Sequence, residues 1–215
     1  SIVLEGSTLN ARQFATQGSR EKMAAQIFTG TEHFRSGVSK VTKDTPEPYK
    51  KVQSWLQVSY QNETYHKVSP KFTLGAYLEA YYSSRNFSNN YTATLMQAGE
   101  FTPTAHSKVT YNEAFRANQY AGVGAIPIYQ LSESFQLRGE FYGFIPIFPI
   151  KKDEYGQAYY GKAFTKFEYL GEISLVFQLS FGSISAYVNH YSSPSNDWNV
   201  GLTLGWQLFN SRFIE

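Results

Sequence analysis

Apolar and polar residues alternate along most of this chain with a period of two. Ile173, Leu175, Phe177, Leu179 and Phe181 fall on one side, and Ser174, Gln178 and Ser180 on the other. The last segment is stricter. Trp198, Val200, Leu202, Leu204, Trp206 and Leu208 share a face, while Asn199, Gly201, Thr203, Gly205 and Gln207 share the opposite one. Successive side chains of a strand point to opposite sides, so this pattern marks strands with two unlike faces. The same alternation sets Phe135, Leu137, Gly139, Phe141 and Gly143 against Gln136, Arg138, Glu140 and Tyr142. It sets Phe72, Leu74, Ala76, Leu78 and Ala80 against Lys71, Thr73, Gly75, Tyr77 and Glu79. Val52, Ser54, Leu56, Val58 and Tyr60 oppose Gln53, Trp55, Gln57 and Ser59, and Met23, Ala25 and Ile27 oppose Lys22, Ala24 and Gln26. No long amphipathic helix competes. The pattern predicts nine strands, near residues 1–12, 22–34, 49–61, 71–83, 114–130, 134–146, 162–180, 183–191 and 197–209.

The connections between these strands alternate in length. Those near 14–20, 61–70, 131–133 and 182 are short or intermediate, and those near 35–48, 84–114 and 146–161 are long, with about five residues at 192–196. Alternating short turns and long loops is the habit of outer-membrane barrels, and the terminal apolar row covers about eleven residues, the length a tilted strand needs to cross a bilayer. Alternation alone does not say which face is hidden, because a soluble sandwich also hides one. Aromatics near strand ends and glycines on the polar faces favour the barrel, in which apolar rows meet lipid and polar rows line a lumen. The fold expected is therefore all-β: one antiparallel transmembrane β-barrel region spanning 1–215. Nine is odd where single-chain bacterial barrels are even. The chain accordingly reads as the C-terminal part of a longer barrel, whose N-terminal half would be its partner.

Composition narrows the alternatives. The chain has 215 residues, 17% aromatic and only 17% charged, against roughly 25% charged in ordinary globular proteins. A net charge of +2 leaves no basic footprint for nucleic acid. The absence of cysteine excludes disulfides, thiolate metal sites and a cysteine nucleophile. No run of about 20 apolar residues reads as a spanning helix.

Several stretches resemble the C-terminal barrel of patatin-like phospholipases from Bacteroidota-type Gram-negative bacteria, within the surface-antigen superfamily that includes BamA. T-L-N-A-R-Q-F-A-T-Q-G-S-R at 8–20 resembles a descending strand and a P-T-x-G periplasmic turn, with Ala15 where the pattern has proline. T-G-T-E-H-F at 29–34 resembles the next ascending strand. N-Y-T-A-T-L at 90–95, F-T-P-T-A-H-S-K at 101–108 and F-R-A-N-Q-Y at 115–120 resemble the long internal loop and the strand after it. The closing P-S-N-D-W-N-V-G-L-T-L-G-W-Q-L-F-N-S-R-F resembles the terminal strand. The resemblance implies a barrel of about sixteen strands in the outer membrane. It implies an aromatic assembly signal at Phe209 or Phe213, read by the barrel-assembly machinery, and outer-membrane lipids as surroundings. It puts Arg116 at the arginine of a loop that folds into the lumen, with five strands following. A homodimer or larger outer-membrane complex is compatible with it. The barrel's role would be to anchor, and to translocate or present, an N-terminal phospholipase domain outside these residues.

No catalysis is expected within the chain. The G-x-S-x-G elbow that exposes a lipase serine is missing, and the nearest stretch, 182–186, lacks its second glycine. Asp44, Asp153 and Asp197 are not followed by glycine. No metal site or cofactor is expected either. His33, His66, His106 and His190 show no pairing at ligand spacing and read as surface loop residues. The strand charges are more informative. Glu79, Arg138, Glu140, Lys166, Glu168 and Glu172 sit on polar faces, where a lumen would receive them, with Arg138/Glu140 and Lys166/Glu168 on neighbouring strands placed to pair across the ladder. Leu175, Phe177, Leu179 and the Trp198 to Leu208 row would face lipid. The charges support a lumen that neutralises itself or a polar conduit, and their mixed signs favour the former. Two other functions stay open: a porin-like or BamA-like transport or assembly barrel without a lipase, and a soluble all-β binding module.

Overall fold

Alternating residues pair into a single nine-stranded antiparallel sheet in the computed structural model, which describes residues 1–34, 49–193 and 198–206. Its strands are β1 (Ile2–Ser7), β2 (Gly18–Phe34), β3 (Tyr49–Lys67) and β4 (Phe72–Ser83), then β7 (Gln119–Gln130), β8 (Phe135–Pro146), β11 (Glu168–Leu179), β12 (Gly182–Tyr191) and β13 (Trp198–Trp206). Each pairs with the next in that order, so every contact in the sheet is a hairpin contact. Two-residue strands β5 (Gly99–Glu100) and β6 (Arg116–Ala117) pair within the 84–118 connection, which also holds the helix α1 (Tyr91–Gln97). Strands β9 (Ile150–Lys152) and β10 (Ala158–Tyr160) form a hairpin in the next long connection.

The nine expected strands match these nine, and their ends differ for local reasons. The first is shorter: past Ser7 the backbone still bonds from Thr8 to Ser19 and from Asn10 to Gln17, and the side chain of Asn10 accepts from the N–H groups of Thr16 and Gln17 to close the turn. The third continues to Lys67 because residues 61–65 stay extended although both their faces are polar, so hydropathy leaves them unmarked. The fifth starts only at Gln119, since Arg116 and Ala117 pair with Glu100 and Gly99 instead.

The sheet is curled. Ser183 on β12 hydrogen-bonds Gln13, in the connection between β1 and β2. In a flat sheet β12 would lie six strand spacings from β2, ~29 Å away, beyond the reach of that short connection. Arg138 on β8 likewise reaches Tyr65 on β3 across the intervening β4 and β7. Within the described residues β1 and β13 remain sheet edges, not paired with each other.

The concave face is filled. The 84–118 connection lies across β4, β7, β8, β11 and β12 and inserts Phe101 and Phe115 between Tyr77, Tyr120, Tyr142, Phe144 and Tyr191. Ring centroids 5.1–6.3 Å apart give edge and stacked contacts in the range that favours aromatic pairs. Inward glycines make this possible. A Cβ on Gly122 would stand 2.1 Å from the Phe101 ring, and one on Gly75 2.6 Å from Tyr65. Among the described residues no helix is long and apolar enough to cross a membrane, which says nothing of strands.

Candidate functional site

The groups with the most chemistry sit where β8, β11 and β12 face the insert. Cross-strand register puts Glu140, Glu172 and Asn189 in one row and Arg138, Ser174 and Tyr187 in the next. Glu140 and Glu172 are thus directly opposed like charges, an unfavourable pairing unless each has a cation or donor of its own. Each does. Arg138 Nε donates to Glu140 Oε1 at 2.6 Å, and Nδ1 of His106 lies 2.6 Å from Glu172 Oε1. Asn189 Nδ2 donates to the other Glu172 oxygen at 3.4 Å. His106 stacks on Tyr187 with centroids 3.5 Å apart. Only 1% of Glu172 and 3% of Arg138 is solvent-exposed, so each charge depends on these partners.

Arg138 organises the inner face. Besides Glu140 it donates to the hydroxyl of Tyr65 and to the carbonyl of Ala15. It therefore ties β8 to β3 and to the β1–β2 connection. Tyr65 in turn hydrogen-bonds Glu63. Glu79 accepts from Tyr77 and, at 2.7 Å, from Tyr120. Glu168 accepts from Ser192, and Lys166 Nζ stands 3.4 Å from Glu168 and 3.3 Å from the Ala114 carbonyl.

Several expectations need correction. Arg138 pairs with Glu140, and Lys166 with Glu168, along one chain segment at i and i+2, not across the ladder. An alternate-residue spacing puts both side chains on the same face, which suffices for contact. Arg116 belongs to the insert and pairs there with Glu100 at 2.6 Å, its guanidinium also donating to the Met96 carbonyl. The insert reaches strand carboxylates elsewhere: Asn89 N–H donates to Glu32 on β2 at 3.3 Å, and His106, 4% exposed and not on the surface, meets Glu172 on β11. A lone histidine in an aperiodic segment carries no signal in sequence. His33 and His66 are exposed, and His190 stacks outside between Tyr169 and Trp198. Arg85, just past β4, lies 4.2 Å above the Trp55 ring; burial lowers its pKa from the usual arginine value, against an opposing pull from Glu32.

The opposite face is apolar and uncovered. Leu175 is 44% exposed, Phe177 is similar, and Trp198, Val200, Leu202 and Leu204 are more exposed still, Leu202 at 79%. Leu179 shares this face by register. The side chain of Trp206, with Leu208, Phe209 and Phe213, lies outside the described residues. Most outward aromatics on these strands lie at strand ends, Tyr129, Phe135 and Phe177 at the short-turn end and Tyr82, Tyr169 and Trp198 at the long-loop end, while Phe141 stands mid-strand on β8.

Ser174 pairs in register with Tyr187, on which His106 stacks, and Ser185 pairs with Val176 in the next inward row, a composition reminiscent of a hydrolase triad with Glu172. Neither hydroxyl hydrogen-bonds the histidine, and all four side chains are buried. The arrangement can fix the insert to the sheet, and neither serine hydroxyl is activated by the histidine. Among the described residues no three His, Asp or Glu side chains gather as a metal site. Compared with known proteins, the chain matches no family model, no curated protein and no solved structure.

Proposed function

We propose that this chain is a membrane-spanning β-barrel segment of a Gram-negative outer membrane, with its outer rows in hydrocarbon. The observation that carries the reading is inverted burial. Arg138, Glu140, Glu168 and Glu172 on β8 and β11 are nearly inaccessible, while Leu137, Ile173 and Leu175 on the same strands are open on the other face. A contiguous exposed apolar surface of this extent is foreign to soluble monomers, whereas a barrel in lipid requires it. The aromatic positions agree. Tyr169 and Phe177 stand eight residues apart on β11, ~26 Å along the strand; at a tilt of about 40° that is ~20 Å of membrane depth, within the ~25 Å apolar band of such barrels.

The open edges at β1 and β13 need strand partners, because lipid cannot satisfy unpaired backbone groups. We assign that role to further strands of a larger barrel. The patatin-like phospholipase resemblance then supplies the role: an anchor that presents, or helps to translocate, a lipase domain outside these residues, inserted by the barrel-assembly machinery. A transport or assembly barrel is the second reading. The packing of Phe101 and Phe115 against the concave face favours the anchor.

The test is reconstitution. The protein refolds into lipid vesicles or detergent micelles, and unheated samples run differently from boiled ones on a gel. A monodisperse protein in plain buffer, indifferent to detergent, would sink the membrane reading. Phospholipase activity in the full-length protein separates the anchor from a transporter.

A further inference from the structure

The connection between β1 and β2, residues 8–17, folds inward under the sheet. Three strands that are distant in sequence hold its tip. The Phe14 carbonyl accepts from Gln136 Nε2 at 3.2 Å and Gln178 Nε2 at 3.1 Å, and the Ala15 carbonyl accepts from Arg138 Nη1 at 2.9 Å. Ser183 Oγ donates to Gln13 Oε1 at 2.9 Å. Ala15 is buried. Phe14 has a φ of +52°, a left-handed conformation that a bulky residue adopts at a cost. Beside the tip lies a polar vestibule of about 480 Å³, lined among others by Thr16, Gln17, Lys67, Lys71 and Gln130.

We infer that residues 8–17 form a displaceable plug at the short-turn end of the inner face. Seated, the turn gains hydrogen bonds from β8, β11 and β12 but holds Phe14 in its strained conformation. Released, Phe14 relaxes, water satisfies the carbonyls, and the vestibule opens onto the interior. Opposed terms of this kind make a segment two-state. The inference stands on the turn's own geometry and holds whether or not the outer face meets lipid.

The chain has no cysteine, so one introduced thiol reports alone. Ala15→Cys is shielded while the plug is seated and open to a water-soluble maleimide once it leaves. In the folded full chain, Gln136→Ala with Gln178→Ala removes two donors and speeds labelling about tenfold. Phe14→Asn, which tolerates the left-handed region, slows it several-fold. Exchange of the Arg138 guanidinium protons, held by the Ala15 carbonyl, moves in the same directions in protein without the thiol and covers the case in which Ala15→Cys fails to fold. Equal rates in all three backgrounds, or rates no faster than global unfolding, would show a fixed turn and overturn the inference, as would acceleration by Phe14→Asn.

Discussion

Gly122 makes the room that the aromatic filling of this interior needs. Its missing side chain is the space in which Phe101 sits, with a Cβ position 2.1 Å from the ring. Gly122→Ala must push Phe101 out of contact with Tyr120 and Phe144, and overpacking of this kind costs about 1–3 kcal/mol. Gly6 is the control: a Cβ there meets nothing within 4 Å, so Gly6→Ala stays within ~0.5 kcal/mol. Denaturant midpoints of the two variants separate them. His106 and Glu172 form the second test. His106→Ala strands a buried carboxylate and destabilises the protein by about 3 kcal/mol. Adding Glu172→Gln removes the uncompensated charge and restores part of that loss. A double-mutant cycle with no coupling would mean that the pair does not hold the insert.

Strands behave as two-sided objects, and β11 shows both sides. Glu172, Ser174 and Val176 point inward, while Ile173, Leu175 and Phe177 point outward. The outward row gives a direct measure of its surroundings. In hydrocarbon, Leu175→Arg costs roughly 2–4 kcal/mol, and Trp198→Arg near the strand end costs less. In water both substitutions stay within ~0.5 kcal/mol. Refolding titrations into vesicles read the difference, and a flat response along β11 would argue against a lipid-facing row. On β7 the ladder to β8 is interrupted between Ala125 and Ile128, where Pro127 lacks an N–H to donate and packs 3.2 Å from the Cβ position of Gly139. Proline is accommodated there because its partner is glycine.

The molecule as a whole is a curled sheet whose core lies on the polar side of its strands. The 84–118 insert supplies that core, so it is structural packing and not a decoration of the loop end. Removing it is therefore expected to expose Arg138, Glu140 and Glu172 to water and to uncouple β8 to β12 from their filling. A chain lacking residues 86–115 would lose its heat-modifiable gel migration, and retention of that behaviour would show that the sheet holds without its filling. The edges β1 and β13 carry the most exposed apolar rows, Val200 and Leu202 among them, because no neighbouring strand shields them.

Strand number, order of faces and the identity of the inward charges were legible in the chain, because side-chain direction in a strand repeats every two residues and needs only local information. The two-residue periodicity also placed Glu79, Arg138, Glu140, Glu168 and Glu172 together on one side. It could not say which partners they take. His106 meets Glu172 across 66 residues, Arg138 meets Ala15 across 123, and Gln178 meets Phe14 across 164. Such contacts depend on how far the sheet curls and how an aperiodic insert packs beneath it. Both are set by non-local packing, to which no local pattern of residues corresponds.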